Sequence, residues 1–157
     1  MPTPTFTFEC IRNDIIGDGI YELEFTKPEG LVFKEGQFLL LDAPLIESPE
    51  DVQPRAYSIA SSPNDDTLLL VIKLVPDGRC SNWVEKVVKK GTSTRVQCPF
   101  GKFLLDPDTK KEYIMMCTST GIAPFRSQLR TILPAGETRK IDLFFGVHNE
   151  KELFWED

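Results

Sequence analysis

Four short segments of this chain hold residue types that could bind an anion or a flat ring. Arg55-Ala56-Tyr57-Ser58, continuing through Ile59-Ala60-Ser61-Ser62-Pro63, puts a guanidinium, a phenol ring and a hydroxyl within four positions. Gly78-Arg79-Cys80-Ser81-Asn82-Trp83-Val84 enters a stretch with helical periodicity. There the glycine frees the backbone to turn, and the unpaired N–H groups of a first helical turn make an anion site suited to a diphosphate. Pro99-Phe100-Gly101-Lys102-Phe103 reads as a tight turn ending a strand. Thr118-Ser119-Thr120-Gly121-Ile122-Ala123-Pro124-Phe125 lies between an apolar strand and a helix, where small residues let a backbone approach a phosphate or ring. Taken singly, each also reads as plain architecture: a strand with an exposed tyrosine, a capped helix, a turn, a strand–helix connection.

Other chemistries are disfavoured. The four cysteines, Cys10, Cys80, Cys98 and Cys117, are far apart and show neither CxxC nor His-paired spacing, so no metal or iron–sulfur site is expected. The single histidine, His148, stands at a strand end, and no role is assigned to it. The formal net charge of −6, with no basic stripe, argues against nucleic acid and anionic lipid as partners. No run approaches the roughly 18–20 apolar residues of a membrane span, and Met1-Pro2-Thr3-Pro4 lacks the features of a signal peptide. The expectation is a cytoplasmic protein with reduced thiols.

The elements that must position these residues fall into two groups. Up to about residue 108, apolar residues alternate with polar ones: Phe6, Phe8 and Cys10; Tyr21, Leu23 and Phe25; Thr94, Val96 and Cys98. Period two with one apolar face predicts half-buried antiparallel strands. Gln37–Leu41, Arg55–Ala60 and the run Leu68–Val75 add further strands. Six short strands with turns at Gly17-Asp18-Gly19, Lys27-Pro28-Glu29-Gly30 and Ser62-Pro63-Asn64-Asp65 suggest a small antiparallel barrel. One helix interrupts them, with Val84, Val87 and Val88 on one face, Ser81 placed to cap its start and Gly91 to stop it. Beyond Leu105-Asp106-Pro107-Asp108 the pattern changes. Tyr113–Cys117 and Ile141–Val147 are continuous apolar strands, separated by a helix carrying Ile122, Phe125, Leu129 and Ile132, and Glu150–Trp155 could open another helix. Strand–helix–strand implies a parallel α/β lobe. The fold expectation is mainly β plus α/β, a barrel over 1–108 and a Rossmann-like lobe over 109–157.

In order along the chain come Gly36-Gln37-Phe38, Arg-x-Tyr-Ser, Gly-x-x-Ser, Pro-Phe-Gly-x-Phe, Thr-Gly-Ile-Ala-Pro-Phe and Phe145-Gly146-Val147. In that order the motifs resemble the ferredoxin–NADP⁺ reductase family, from about Phe6 to the last residue. The resemblance implies a barrel that binds a flavin, usually FAD with FMN as the smaller alternative, and a lobe that takes NAD(P)H as co-substrate. Hydride would pass from nicotinamide to flavin N5, and electrons would leave to an acceptor protein such as a ferredoxin, a flavodoxin or an oxygenase component.

By that resemblance Arg55 pairs with the flavin phosphate, Tyr57 stacks on the ring and Ser58 places its hydroxyl near N5. Tyr57 and Ser58 are thus the candidate catalytic pair. Ile72, Lys73 and Leu74 border the ribityl chain and diphosphate, while Arg79, Cys80 and Ser81 meet the diphosphate. Thr120 lies near the rings, with Gly121, Ile122 and Pro124 shaping the nucleotide pocket. Ala56 and Gly78 complete the cofactor contacts.

Two features depart from the family pattern. Ser119 stands where relatives often have glycine, and His148 where many have arginine. The chain also ends at Trp155-Glu156-Asp157, before the remaining strands of such a lobe. The expectation is therefore an exposed apolar sheet edge and weak or absent NAD(P)H turnover by this chain alone. The alternative function is a flavin-binding electron-transfer or regulatory module whose lobe an oligomeric partner completes.

Overall fold

A computed structural model describes residues 3–156 of the chain. Met1 and Pro2, on which the leader expectation partly rests, and Asp157 lie outside the described residues.

The first part is one six-stranded antiparallel sheet, and its alternating sequences explain why. β1 (Thr5–Gly17), β2 (Ile20–Thr26), β3 (Phe38–Leu45), β4 (Ser48–Ser58), β5 (Thr67–Lys73) and β6 (Ser93–Phe100) lie in the order β4-β3-β6-β1-β2-β5. β1 pairs with β6 through Thr5–Glu9 and then, past an irregularity at Cys10/Arg12, with β2. That break bends the long strand so that it belongs to both halves of the sheet. The two edges then meet: Ala60 N–H, just after β4, donates to Leu69 O on β5 at 2.8 Å, and Leu69 N–H donates to the Ser61 hydroxyl at 3.1 Å. The sheet curls into a barrel rather than leaving its ends bare.

Inside it Phe8, Leu23, Phe25, Leu39, Leu41, Ile59, Leu68, Leu70, Val84 and Val96 are buried. The helix α1 (Arg79–Lys86) closes one end, with Trp83 and Val84 in the core. It starts two residues before the expected cap. Ser81 is not its N-cap: Gly78 holds that position, and the Ser81 hydroxyl instead accepts from Val75 N–H at 2.9 Å. The helix also stops before Gly91, because Asn13 caps its last turn from β1, donating to Val84 O and Val88 O.

The second part is smaller. β7 (Tyr113–Thr118) and β8 (Ile141–Gly146) pair in parallel, with a 3-10 turn (Ser119–Ile122) and α2 (Ala123–Ile132) between them. Pro124 sits in the first turn of α2, where its missing N–H costs nothing. The expected helix over Glu150–Trp155 is only a 3-10 turn, Glu150–Glu152. Beyond it Leu153 is extended and Trp155 takes a left-handed φ of +55°, as Phe154 and Trp155 turn onto neighbouring surfaces.

Those surfaces join the two parts. Ile20, Ala60, Leu69 and Val71 on the outside of the barrel form one apolar cluster with Ile122, Ala123 and Phe154. Trp155 Nε1 donates to the buried Glu22 carboxylate at 2.6 Å, while the Arg126 guanidinium lies 4.8 Å from the Trp155 ring centroid. Glu22 is held from the other side by Arg12 at 2.8 Å. Ser127 donates to Ser61 O, and Lys73 pairs with Glu152 at 2.6 Å. Ile114, Met116 and Phe144 of the parallel pair are exposed, an apolar face of the small sheet where an apolar edge was expected.

Gly36 shows how tight the junction is. Its φ is +91°, and a Cβ there would overlap the Phe103 carbonyl oxygen and stand 2.7 Å from Gln128 Nε2. Phe103 O in turn accepts from that amide at 2.9 Å. Gly36→Ala is therefore expected to destabilise the protein by roughly 3 kcal/mol, read as a lower urea midpoint. The cysteines give a second check. Cys10, Cys80 and Cys98 are buried, and burial pushes the Cys98 thiol up to about 12, whereas Cys117 is partly open. Native protein at mild alkaline pH should release one equivalent of colour with a disulfide reagent, lost in Cys117→Ser, with the other thiols reacting only on unfolding.

Candidate flavin and nucleotide site

β4 is an edge strand whose alternate residues Gln53, Arg55 and Tyr57 share one face, with Asp51 beyond them in the irregularity between Val52 and Ser48. Arg55 and Tyr57 lie opposite Leu41 and Leu39 of β3, so the row follows the barrel's inner side toward α1. The Tyr57 ring is half-buried against the core beside Cys80; burial first, and Cys80 next, raise its hydroxyl pKa. A neutral phenol held this way is a rigid apolar plate, not a base. Burial likewise raises the Cys80 thiol, which stays protonated.

Arg55 lies close enough to both groups to bias their titration. Its own donors go to neutral oxygens, Pro54 O at 3.0 Å and Gln53 Oε1 at 2.8 Å. The start of α1 faces the same place. No side chain caps it, and a Cβ on Gly78 would stand 2.6 Å from Val75 Cγ2 and 2.9 Å from Ser81 Oγ, so a larger residue would have to displace one of those side chains. A cation, an aromatic plate and an uncapped helix start therefore converge, which is a donor set that fits a phosphate-bearing ring.

The other face of β4 carries Ala56, which is exposed, and Ser58, opposite Phe38. The Phe38 ring stacks on Phe100 with centroids 5.6 Å apart. Ile72 is buried in the barrel core and Leu74 packs against it. Lys73 points the opposite way, to Glu152, so the structure does not bring its ammonium to Arg55 or Tyr57.

Thr120, Gly121, Ile122 and Pro124 lie together on the lobe, at the end of β7 and the start of α2. Ile122 is buried in the cluster between the two parts, Thr120 is half-buried and Gly121 is exposed. Beside them Thr118, Ser119, Gly146, Val147 and His148 line a cavity of about 190 Å³. Ser119 has a φ of +48°, in the left-handed region where glycine is at ease, and its enclosed hydroxyl has no partner.

Sequence reasoning missed Asp51 and Gln53. Gln53 follows from extending the period-two row of Arg55 and Tyr57 backwards, and Asp51 is known only by its bond to Arg79; the exposed run Pro49–Pro54 carries no apolar alternation to mark it as strand. Among the described residues no group of His, Cys, Asp and Glu is placed to hold a metal, and no helix is long and apolar enough to cross a membrane.

Comparison with known proteins agrees with this geometry. The family model of the oxidoreductase FAD-binding domain matches residues 13–104, and that of the oxidoreductase NAD-binding domain matches residues 115–157. The chain is 30% identical over 152 residues to the terephthalate 1,2-dioxygenase reductase component 1 of Comamonas sp., covering 95% of this chain and 43% of that protein. It is 32% identical over 141 residues to ferredoxin–NADP reductase B of Sorangium cellulosum (strain So ce56), covering 88% and 56%. A ferredoxin NADP⁺ reductase from Neisseria gonorrhoeae, solved with bound FAD and NADP, superposes with a TM-score of 0.83 at 26% identity, covering 95% and 60%. The chain thus spans about half the length of these relatives. Since the flavin-domain model covers more than half of the chain and runs through β4 and α1, the protein belongs to the oxidoreductase FAD-binding domain family, within the ferredoxin–NADP⁺ reductase group.

Proposed function

We propose that the protein is a flavin-dependent NAD(P)H oxidoreductase of the ferredoxin- or oxygenase-reductase type, taking FAD or FMN in the barrel. One observation carries this reading: Arg55 and Tyr57 share a face of β4 that meets Cys80 and the uncapped start of α1. Residues 1–108 serve as the flavin domain and 109–157 as part of the nucleotide domain.

When bound, the flavin supplies the hydride-accepting atom and the route for electrons onward. Arg55 binds its phosphate, because a guanidinium matches two phosphate oxygens and its present neutral partners are easily exchanged. Tyr57 covers one face of the ring and keeps water from it. Ser58 offers a hydroxyl at the ring edge, on the side of β4 that carries Phe38 and Phe100. Ala56, Ile72, Lys73, Leu74, Gly78, Arg79, Cys80 and Ser81 complete the surroundings, with Lys73 contributing through its backbone while its ammonium stays on Glu152. Thr120, Gly121, Ile122 and Pro124 receive the nicotinamide nucleotide at the strand end. Electrons leave to a ferredoxin, a flavodoxin or an oxygenase component in the cytoplasm.

A second reading is favoured by the exposed Ile114, Met116 and Phe144: a flavin-holding electron-transfer module whose lobe another chain covers. Sedimentation separates the two, since the module reading requires a defined assembly and a stable active monomer removes it.

The test of the main reading is reconstitution. Purified protein should take up FAD or FMN and turn yellow, and Arg55→Ala should weaken flavin binding about tenfold or more through the lost charge-assisted contact. Tyr57→Leu should restore part of the fluorescence that the bound flavin loses to ring stacking. Protein that stays colourless with both flavins overturns the assignment.

A further inference from the structure

We propose that Asp51 and Arg79 form a gate that sets flavin specificity: closed, the pair leaves room for a flavin with one phosphate, and the adenylyl end of a dinucleotide must part it. This rests on the flavin reading above. Tyr57, Arg55 and Gln53 follow one another along a single face of β4, roughly 7 Å per step, and Asp51 comes next, inside the irregularity between Val52 and Ser48, where its bond to Arg79 sets it beside the start of α1. If Tyr57 takes the ring and Arg55 the first phosphate, a second phosphate and its adenosine run on toward Gln53 and Asp51.

The two arginines differ in one respect that matters for an anion. Among the described residues Arg55 is held by neutral acceptors, Gln53 Oε1 and Pro54 O, which offer no competing charge. Arg79 is held by a charged one: its Nη1 donates to Asp51 O at 2.5 Å and its Nη2 to Asp51 Oδ2 at 3.0 Å. The Arg79 side chain is 14% exposed and that of Asp51 50%, so the carboxylate sits on the rim with the guanidinium beneath it. Arg79 is the first residue of α1, where an anion is otherwise favoured. Asp51 is thus an internal anion at the second phosphate position. It occupies the guanidinium and repels an incoming phosphate. The first phosphate position carries no such charge.

Asp51 is half exposed and asparagine keeps its shape and its backbone carbonyl on Arg79, so Asp51→Asn should fold normally, checked by circular dichroism and melting. Titration of the flavin-free protein with FAD and with FMN, followed by flavin fluorescence, is the test. Asp51→Asn should tighten FAD about fivefold and change FMN by less than about twofold. Adding Arg79→Gln to that variant should abolish the gain, because the released guanidinium is what receives the second phosphate. Equal changes for both flavins, no change in their ratio, weaker FAD binding, or a gain that survives Arg79→Gln each overturn the gate. Wild-type protein that binds neither flavin overturns the flavin reading itself, whereas wild-type binding with an unaltered ratio overturns only the gate.

Discussion

The arrangement of the site depends on the register of β4 against β3. Side chains of a strand alternate between faces, so a slip of one residue exchanges every one of them. In the observed register Arg55 and Tyr57 stand opposite Leu41 and Leu39, and Ala56 and Ser58 opposite Leu40 and Phe38. A slip would move the tyrosine ring to the outside and set Ala56 and Ser58 against α1. Burial fixes the register: Leu39 and Leu41 are wholly enclosed, and any other pairing would expose the apolar row or bury polar groups. The chemistry of β4 is set by the packing of its neighbour.

A second constraint places the lobe. The strand end at Thr118–Ile122 can work with the barrel only if the two keep one orientation. The means are an apolar patch and a polar clamp side by side. Ile122, Ala123 and Phe154 settle onto the barrel's outer face, while Trp155 is fixed between the Glu22 carboxylate and the Arg126 guanidinium. Glu22 is buried, and its oxygens are divided between Arg12 and Trp155. Losing either donor would leave a buried carboxylate oxygen unpaired, at a cost of about 1–3 kcal/mol. Such a polar contact gives direction where apolar contact alone does not.

Much of this was legible in the sequence. Period two along Phe6–Cys10 and Tyr21–Phe25 marked barrel strands, and the continuous apolar runs Tyr113–Cys117 and Ile141–Val147 marked the parallel pair. Where reading failed, long-range contacts had overruled local pattern. Ser81 looks like a cap, yet its hydroxyl serves Val75, because Gly78 has already turned the chain. Glu150–Trp155 has a helical composition, but Phe154 is captured by a cluster from the barrel. Asp51 and Arg79 are 28 positions apart, and nothing in either neighbourhood announces the other. The strand that carries Asp51 is exposed along Pro49–Pro54, so burial leaves no trace there in the choice of residues.

The apolar patch between barrel and lobe also bears on how the chain comes apart. Ile20, Ala60, Leu69 and Val71 belong to strands or turns of the barrel, yet they are dry only while the lobe covers them. The division between the six-stranded sheet and the parallel pair is thus one of architecture and not of cooperativity. Severing the linker there would strip a hydrophobic face from both pieces at once. Packing of this kind couples the two parts, since loss of either uncovers apolar surface on the other.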